Sequence, residues 1–340
     1  MIRAFAIAAG LILTLAATLA IFGLPVGHSM ALMAHGAFGD KLAITRTLVK
    51  SIPLTITAMG IVIAWRAGMY NIGGEGQFVM GGVCSAVLAN WLIPSTALPA
   101  WFGIVFMLTA SVAGGAAWGG LAGWLKSRRG VEVVISTILL NFVAIQLLAW
   151  VVAGPLRDRS SGLPLTVQLP DRLMLPKFDP AYDLHFGIFV AALAALFAYG
   201  FLYSTKAGFR TRLAGEGERV ARANRIDADR AKIGAMLISG GLCGLAGGVE
   251  YTGIAGQLGT SFAQGWGFLA IPVALLGGLH PLWVVLSALY FGALFAGSRN
   301  LAGFTDQGAT IIYIIQAVAV LGLIAIGALS FRKPAPREAA

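Results

Sequence analysis

Charge is scarce in this chain. Asp, Glu, Lys and Arg make up 11% of its 340 residues, against about a quarter in soluble domains. With 58% hydrophobic residues and a mean hydropathy of +0.83, that shortage excludes a soluble globular fold. Cysteine is nearly missing too. Cys84 and Cys243 lie in separate apolar runs and read as buried, inert small residues, with no spacing for a disulfide framework or a thiolate metal site. The four histidines, His28, His35, His185 and His280, are scattered near segment ends, which argues against a histidine metal centre. No G-x-x-x-x-G-K-[ST] phosphate loop and no H-E-x-x-H occurs, and no Ser/His/Asp set stands out. The chain is therefore not expected to bind ATP through such a loop, and no cofactor or metal is expected.

What it has is hydrophobic length, 45 glycines and a formal charge of +10. Glycine at that level fits helices that approach closely in lipid. The basic residues cluster in short loops between apolar runs, the footprint of membrane orientation rather than of a nucleic-acid-binding face. Apolar runs cover 4–27, 51–65, 78–93, 101–125, 131–154, 185–204, 233–250, 268–278, 282–297 and 309–329. The first is long enough to span a bilayer and exceeds a signal-peptide core. The expected fold is an all-α polytopic membrane protein of about ten transmembrane segments, at least two of them short, broken or re-entrant. Residues 28–50 read as a polar stretch, 155–184 as an extracytoplasmic loop, 205–232 as a cytoplasmic loop and 331–340 as a cytoplasmic tail. With both termini in the cytoplasm, 16 of the 24 basic residues fall inside, as the positive-inside bias requires.

Asn71-Ile72-Gly73-Gly74-Glu75-Gly76-Gln77 interrupts two apolar runs with a carboxylate, two amides and three glycines. Irregular backbone at membrane depth survives only where protein buries it or it lines a cavity, and an ionisable group there marks a functional site by default. Glu75 reads equally as a pathway carboxylate and as a helix-start anchor accepting amide hydrogens that the break leaves free. Asn71 and Gln77 are the better ligand candidates, because amides both donate and accept. Thr137 and Asn141, four apart on one helix face, add polar groups, and Gln257 lies in a second Gly/Gln-rich interruption at 251–267. Paired interruptions in two halves point to a transporter's central site and would fit two-fold pseudosymmetry. Trp65, Tyr70 and Phe78 offer aromatic faces for stacking. An ion-coupled secondary transporter using Glu75 or Glu132 is the competing reading; a membrane scaffold leaves the polar breaks unmotivated.

Four segments together resemble the membrane permeases of ABC importers of the branched-chain amino acid/ribose type, nearest their nucleoside and simple-sugar subgroup. They are 70–82; 130–141, similar to "G-x-E-V-I-S-T-x-x-L-N"; 213–248; and 265–282, similar to "A-V-A-L-L-G-x-x-x-P". The resemblance implies a non-enzymatic subunit in the bacterial inner membrane, working with a second permease subunit, an ABC ATPase that has two nucleotide-binding halves, and an extracytoplasmic binding protein. It implies that 215–227 is the coupling segment gripped by the ATPase, through Gly215, Glu216, Arg219, Ala221 and Arg222. Within the usual "G-E-N-P-x-A-A-R-x-A-G-I", Gly217 replaces Asn, Glu218 replaces Pro and Arg225 replaces Gly.

Overall fold

The computed structural model describes residues 2–93 and 99–304, together with positions 314, 317, 318 and 321. The run at 309–329 and the tail at 331–340 therefore fall wholly or largely outside the described residues. The fold is helical, with three isolated β-bridges and no longer strand among the described residues. Two compact units result, one from Met1–Thr47 with Gly292–Ala340 and one from Leu48–Phe291.

In the first unit, helix α1 (Ile2–Ile21) ends before Gly23, whose φ of +70° turns the chain. Pro25 then precedes α2 (Val26–Phe38). The stretch 28–50, expected to be polar connection, is helical instead: α3 (Lys41–Arg66) begins there, with the Asp40 carboxylate accepting from the Ala43 amide at 2.7 Å. Its polar residues alternate with apolar ones and mostly bond locally. The Thr47 hydroxyl donates to the Ala37 carbonyl, and the Asn300 amide to the Leu32 carbonyl at 2.8 Å.

In the second unit α3 continues and ends in a glycine-terminated turn. Gly68, at φ +74°, donates to the Trp65 carbonyl and Met69 to that of Ala64, the paired bonds of a Schellman cap. There follow α4 (Gly74–Leu92), α5 (Ala100–Arg129), α6 (Val133–Ala153) and α7 (Gly187–Ser204). The basic segment, expected as a loop whose centre can form a short helix with Val220 and Ala223 on one side, is largely helical: α8 (Lys206–Gly215), α9 (Glu218–Ala223) and the start of α10 (Ala228–Glu250). A π-helical turn, Tyr251–Ala255, prolongs α10. Then come α11 (Trp266–Leu276) and α12 (Pro281–Ala302).

Six described helices are long and apolar enough to cross a membrane: α3, α5, α6, α7, α10 with its π turn, and α12. Burial sorts them. The apolar window of α3 is 89% buried and that of α10 72%, against 22% for α5 and 33% for α6 and α7. A helix that is apolar yet exposed on most of its faces needs lipid or another protein around it. So α5, α6 and α7 form an outer layer, while α3, α4 and α10 form the interior. Glycine allows the interior to close: a Cβ on Gly115 would stand 2.2 Å from the Gly240 carbonyl, and one on Gly247 1.9 Å from that of Phe78.

Candidate functional site

The 71–77 segment occupies the centre of the second unit. Asn71, Glu75 and Gln77 are each at most 1% exposed. Such burial demands a partner for nearly every polar atom, and the structure supplies them. The Asn71 amide donates to Gln77 Oε1 and to Ser239 Oγ, each at 2.9 Å. Its Oδ1 accepts from the Gly73 amide at 2.8 Å and from Gln77 Nε2 at 3.1 Å. Asn71 and Gln77 are thus locked amide to amide across the start of α4.

Helix α6 completes the frame. Asn141 accepts from the Gly76 amide at 2.7 Å and donates to the Ile72 carbonyl at 3.0 Å, while Thr137 Oγ1 accepts from the Ile72 amide at 3.3 Å. A Cβ on Gly76 would meet Asn141 at 2.9 Å, and one on Gly73 would meet Thr137 at 2.9 Å. These glycines let α6 reach the broken backbone. Ser239 sits near the middle of the 28-residue span Ala228–Ala255, so the break lies at mid-depth of that helix.

Glu75 opens α4 but serves another helix. Its Oε1 accepts from the Gly265 amide at 2.8 Å and its Oε2 from the Gly267 amide at 2.7 Å. Gly265, at φ +84°, is the N-cap of α11. That helix has 11 residues, about 16 Å, roughly half a hydrocarbon core. Glu75 therefore supplies a carboxylate to the positive end of a half-helix and satisfies amides that no helical bond could reach. The amides it accepts from belong to the start of α11 rather than to its own helix.

The remaining expected residues separate. Gln257 is half-buried in a loop that pairs with the 165–169 strand-like segment, away from the amide cluster. Glu132 is exposed at the start of α6, paired with Lys126 at 2.6 Å. Phe78 is fully buried and stacked on Phe262, whereas Tyr70 is exposed and edge-on to Trp65. In the basic segment Gly215 ends α8, and its backbone lies against the turn after α3: a Cβ there would stand 2.2 Å from the Arg66 carbonyl. Glu216 is the C-cap residue of α8, Ala221 is buried, and Arg219 and Arg222 are on the surface. Arg66 reaches the end of α11, its Nε donating to the Leu279 carbonyl at 3.1 Å. The turns after α3, α8 and α11 thus meet at one end of the unit.

Sequence reasoning passed over two ionisable residues, Lys50 and Glu250. Glu250, in the last turn of α10, is 5% exposed and accepts no hydrogen bond among the described residues. The Lys50 ammonium of α3 lies 5.1 Å from the centre of the Trp266 ring, within cation–π range. Trp266 is the residue between the two glycines that Glu75 holds. The signal was present: Lys50 borders an apolar run, and Glu250 closes one immediately before a Gly/Gln-rich interruption.

Residues 43–329 match the family described as the branched-chain amino acid transport system/permease component. The chain belongs to that family of membrane permeases. It is 30% identical to a glucose ABC transporter permease protein of Haloferax volcanii, over 84% of this chain and 77% of that one. It is 29% identical to a guanosine ABC transporter permease protein of Bacillus subtilis (92% and 89%) and 26% identical to a nucleoside ABC transporter permease protein of Lactococcus lactis (85% and 81%). No solved structure matches the chain.

Proposed function

We propose that the chain forms the path for nucleosides, with simple sugars next, through an ATP-driven importer. The observation that carries this reading is the half-helix α11, whose start lies beside a broken α4 at the depth of Ser239. Half-helix starts near the membrane midplane are where transporters build their central sites. The guanosine, nucleoside and glucose names of the relatives set the solute class. Asn71, Glu75, Gln77, Thr137 and Asn141 are proposed to hold the wall of the path. Lys50, Glu250 and exposed Tyr70 are the groups with capacity left for a solute. A carboxylate with free acceptor atoms suits sugar hydroxyls, and a tyrosine ring suits a base.

The six long spans, with α1, α4, α11 and the run at 309–329, make ten crossings of one permease domain. That order puts the Arg66 turn, the 126–129 cluster, the 205–232 segment and the Leu279 turn on one side, the cytoplasmic one by charge. The bond from Arg66 to Leu279 fits this arrangement. The proposed setting is the inner membrane, with a second permease subunit, an ATPase seated on α8 and α9, and an extracytoplasmic binding protein. Pseudosymmetry of the two halves remains part of the proposal, resting on the interruptions at 71–77 and 251–267.

Ion-coupled transport is the second reading. Glu132 is exposed and paired with Lys126 outside the amide cluster, and each Glu75 oxygen accepts a backbone amide at the start of α11, so both carboxylates have structural partners that ion coupling would have to disturb. The test is uptake into vesicles holding this chain, its ATPase and its binding protein. ATP-dependent uptake of a nucleoside is expected; uptake driven by an ion gradient without ATP overturns the reading. Within that system Glu250→Ala is expected to slow uptake more than tenfold while assembly with the ATPase persists, a loss on the scale of one charged hydrogen bond. Uptake at the original rate removes Glu250 from the path.

A further inference from the structure

The segment joining spans α7 and α10 carries eight basic residues and four acidic ones between 206 and 232. Folded, it borders an open cavity of about 370 Å³ between the end of α7 and the first half of α10. Three arginines, Arg210, Arg225 and Arg230, line it together with Asp227, and Phe201 and Ile238 of the two spans form its apolar wall.

Arg225 is the unusual member. Helix α9 ends in a Schellman cap, with the Ile226 amide donating to the Ala221 carbonyl at 2.9 Å and the Arg225 amide to that of Arg222 at 3.0 Å. The residue at this position takes a left-handed conformation and is usually glycine. The equivalent positions after α3 and α11 are Gly68 and Gly278. Here an arginine sits at φ +55°, a conformation that β-carbons disfavour and that persists where a site requires it.

The cavity's charges are not balanced internally. Asp227 is committed to Arg230: one oxygen accepts from the Arg230 amide at 3.0 Å and the other pairs with its Nε at 2.9 Å. Arg210 and Arg225 make no ion pair or side-chain hydrogen bond among the described residues. Two guanidinium groups on a cavity suit a phosphate, which they can grip through paired hydrogen bonds. The apolar wall, continuous with two membrane-length helices, suits hydrocarbon. A free phosphate or an acidic side chain of a partner would leave that wall in water. An anionic phospholipid satisfies both.

We propose that this cavity binds the headgroup of an anionic phospholipid, its phosphodiester on Arg210 and Arg225 and its acyl chain along Phe201 and Ile238. Basic pockets between transmembrane helices hold such headgroups elsewhere. Bound there, the lipid fastens the segment carrying α8 and α9 to the membrane surface. The inference rests on the reading that α7 and α10 cross the membrane.

The test is native mass spectrometry of the full chain, purified in detergent and incubated with phosphatidylglycerol or phosphatidylcholine of identical acyl chains. The expected result is one retained phosphatidylglycerol, preferred over phosphatidylcholine by about five- to tenfold, with most of that preference lost in Arg225→Gly and in Arg210→Gln. Arg225→Gly relieves the left-handed backbone, so its melting temperature is expected not to fall, which separates lost binding from lost folding. Equal retention of the two lipids overturns the proposal, as does unchanged preference in both variants. Displacement of the lipid by equimolar inorganic phosphate overturns it in favour of a free-anion site. Loss of ATPase co-purification with lipid retention intact overturns it in favour of a protein-docking surface. Lipid retention is read without transport, so failure of the uptake assay leaves this result standing on its own.

Discussion

At the residue scale, the buried polar groups of the second unit differ in whether their bonds are closed. Glu75 is closed on α11: each oxygen accepts a backbone amide, and those bonds are strongest while the carboxylate is ionised. Glu75→Gln keeps the shape but points an NH₂ at one of those amides. The expected cost is about 1–3 kcal/mol, seen as a lower melting temperature in detergent; an unchanged midpoint would show that the clamp on α11 does not form. His185, outside the spans, is closed in another way. Its Nδ1 accepts from the Gly187 amide at 3.0 Å, and its ring packs against Gly253. Burial holds its pKa down at about 4, below the ordinary 6.5, with Lys177 acting in the same sense and Asp183 against it. Between those values the unfolded segment binds a proton that the folded one refuses, so this contribution is complete above about pH 6.5 and lost as pH falls toward 4. The loss reaches about 3 kcal/mol. Melting temperatures at pH 7.5 and 4.5 should differ by less in His185→Asn than in the parent chain; an equal difference assigns the pH dependence to other groups.

At the scale of elements, close helix approach holds the interior together. Gly247 places its Cα against the Phe78 carbonyl, so a methyl group there has no room. Gly247→Ala is expected to destabilise by about 1–3 kcal/mol, the cost of overpacking. Gly200 of α7 meets nothing within 4 Å, and Gly200→Ala should leave the melting temperature unchanged or higher. If both variants melt alike, the contact between α4 and α10 is looser than described. The sequence exposed this layer unevenly. Long apolar runs made α5, α6 and α7 legible, because hydropathy alone reports a lipid-facing helix. The start of α3 was hidden, since its polar residues bond within the protein and a hydropathy reading cannot see partners. Helix α8 was hidden as well, because an arginine-rich surface helix has no apolar stripe to count, whereas Val220 and Ala223 on one side made a short helix at α9 legible. At the site, the break at Asn71–Gln77 stood out as polarity in an apolar context. That Glu75 caps α11, some 190 residues later, depends on a tertiary crossing of Gly74 over Gly267, which local pattern does not encode. Glu250 closes the apolar run at 233–250, and an acid in that place is itself the signal.

At the scale of the whole molecule, the proposed importer needs a link by which an ATPase seated on α8 and α9 could move a path at mid-depth. The turn at 66–73 is the physical link. On one side Gly215, ending α8, lies against the Arg66 carbonyl and Gly68; on the other, the turn delivers Asn71 to Ser239 and Gln77. Arg66 also ties in the end of α11, whose start Glu75 holds. In the proposed importer a displacement of α8 would therefore reach the turn through packed backbone at Arg66 and Gly68, and pass to the two broken helices through the Asn71 and Arg66 side chains. Gly215→Val removes the close approach without touching a polar group of the path. In the assembled importer it should lower uptake by tenfold or more, about 1.4 kcal/mol of lost coupling, while ATP hydrolysis by the complex continues. Loss of hydrolysis and uptake together would mean that the substitution had displaced the ATPase, and the link at Arg66 would then have no claim to coupling. Retention of both would mean that force reaches the break by another route. Only the split, hydrolysis without uptake, is compatible with a turn that carries motion from α8 to the half-helix.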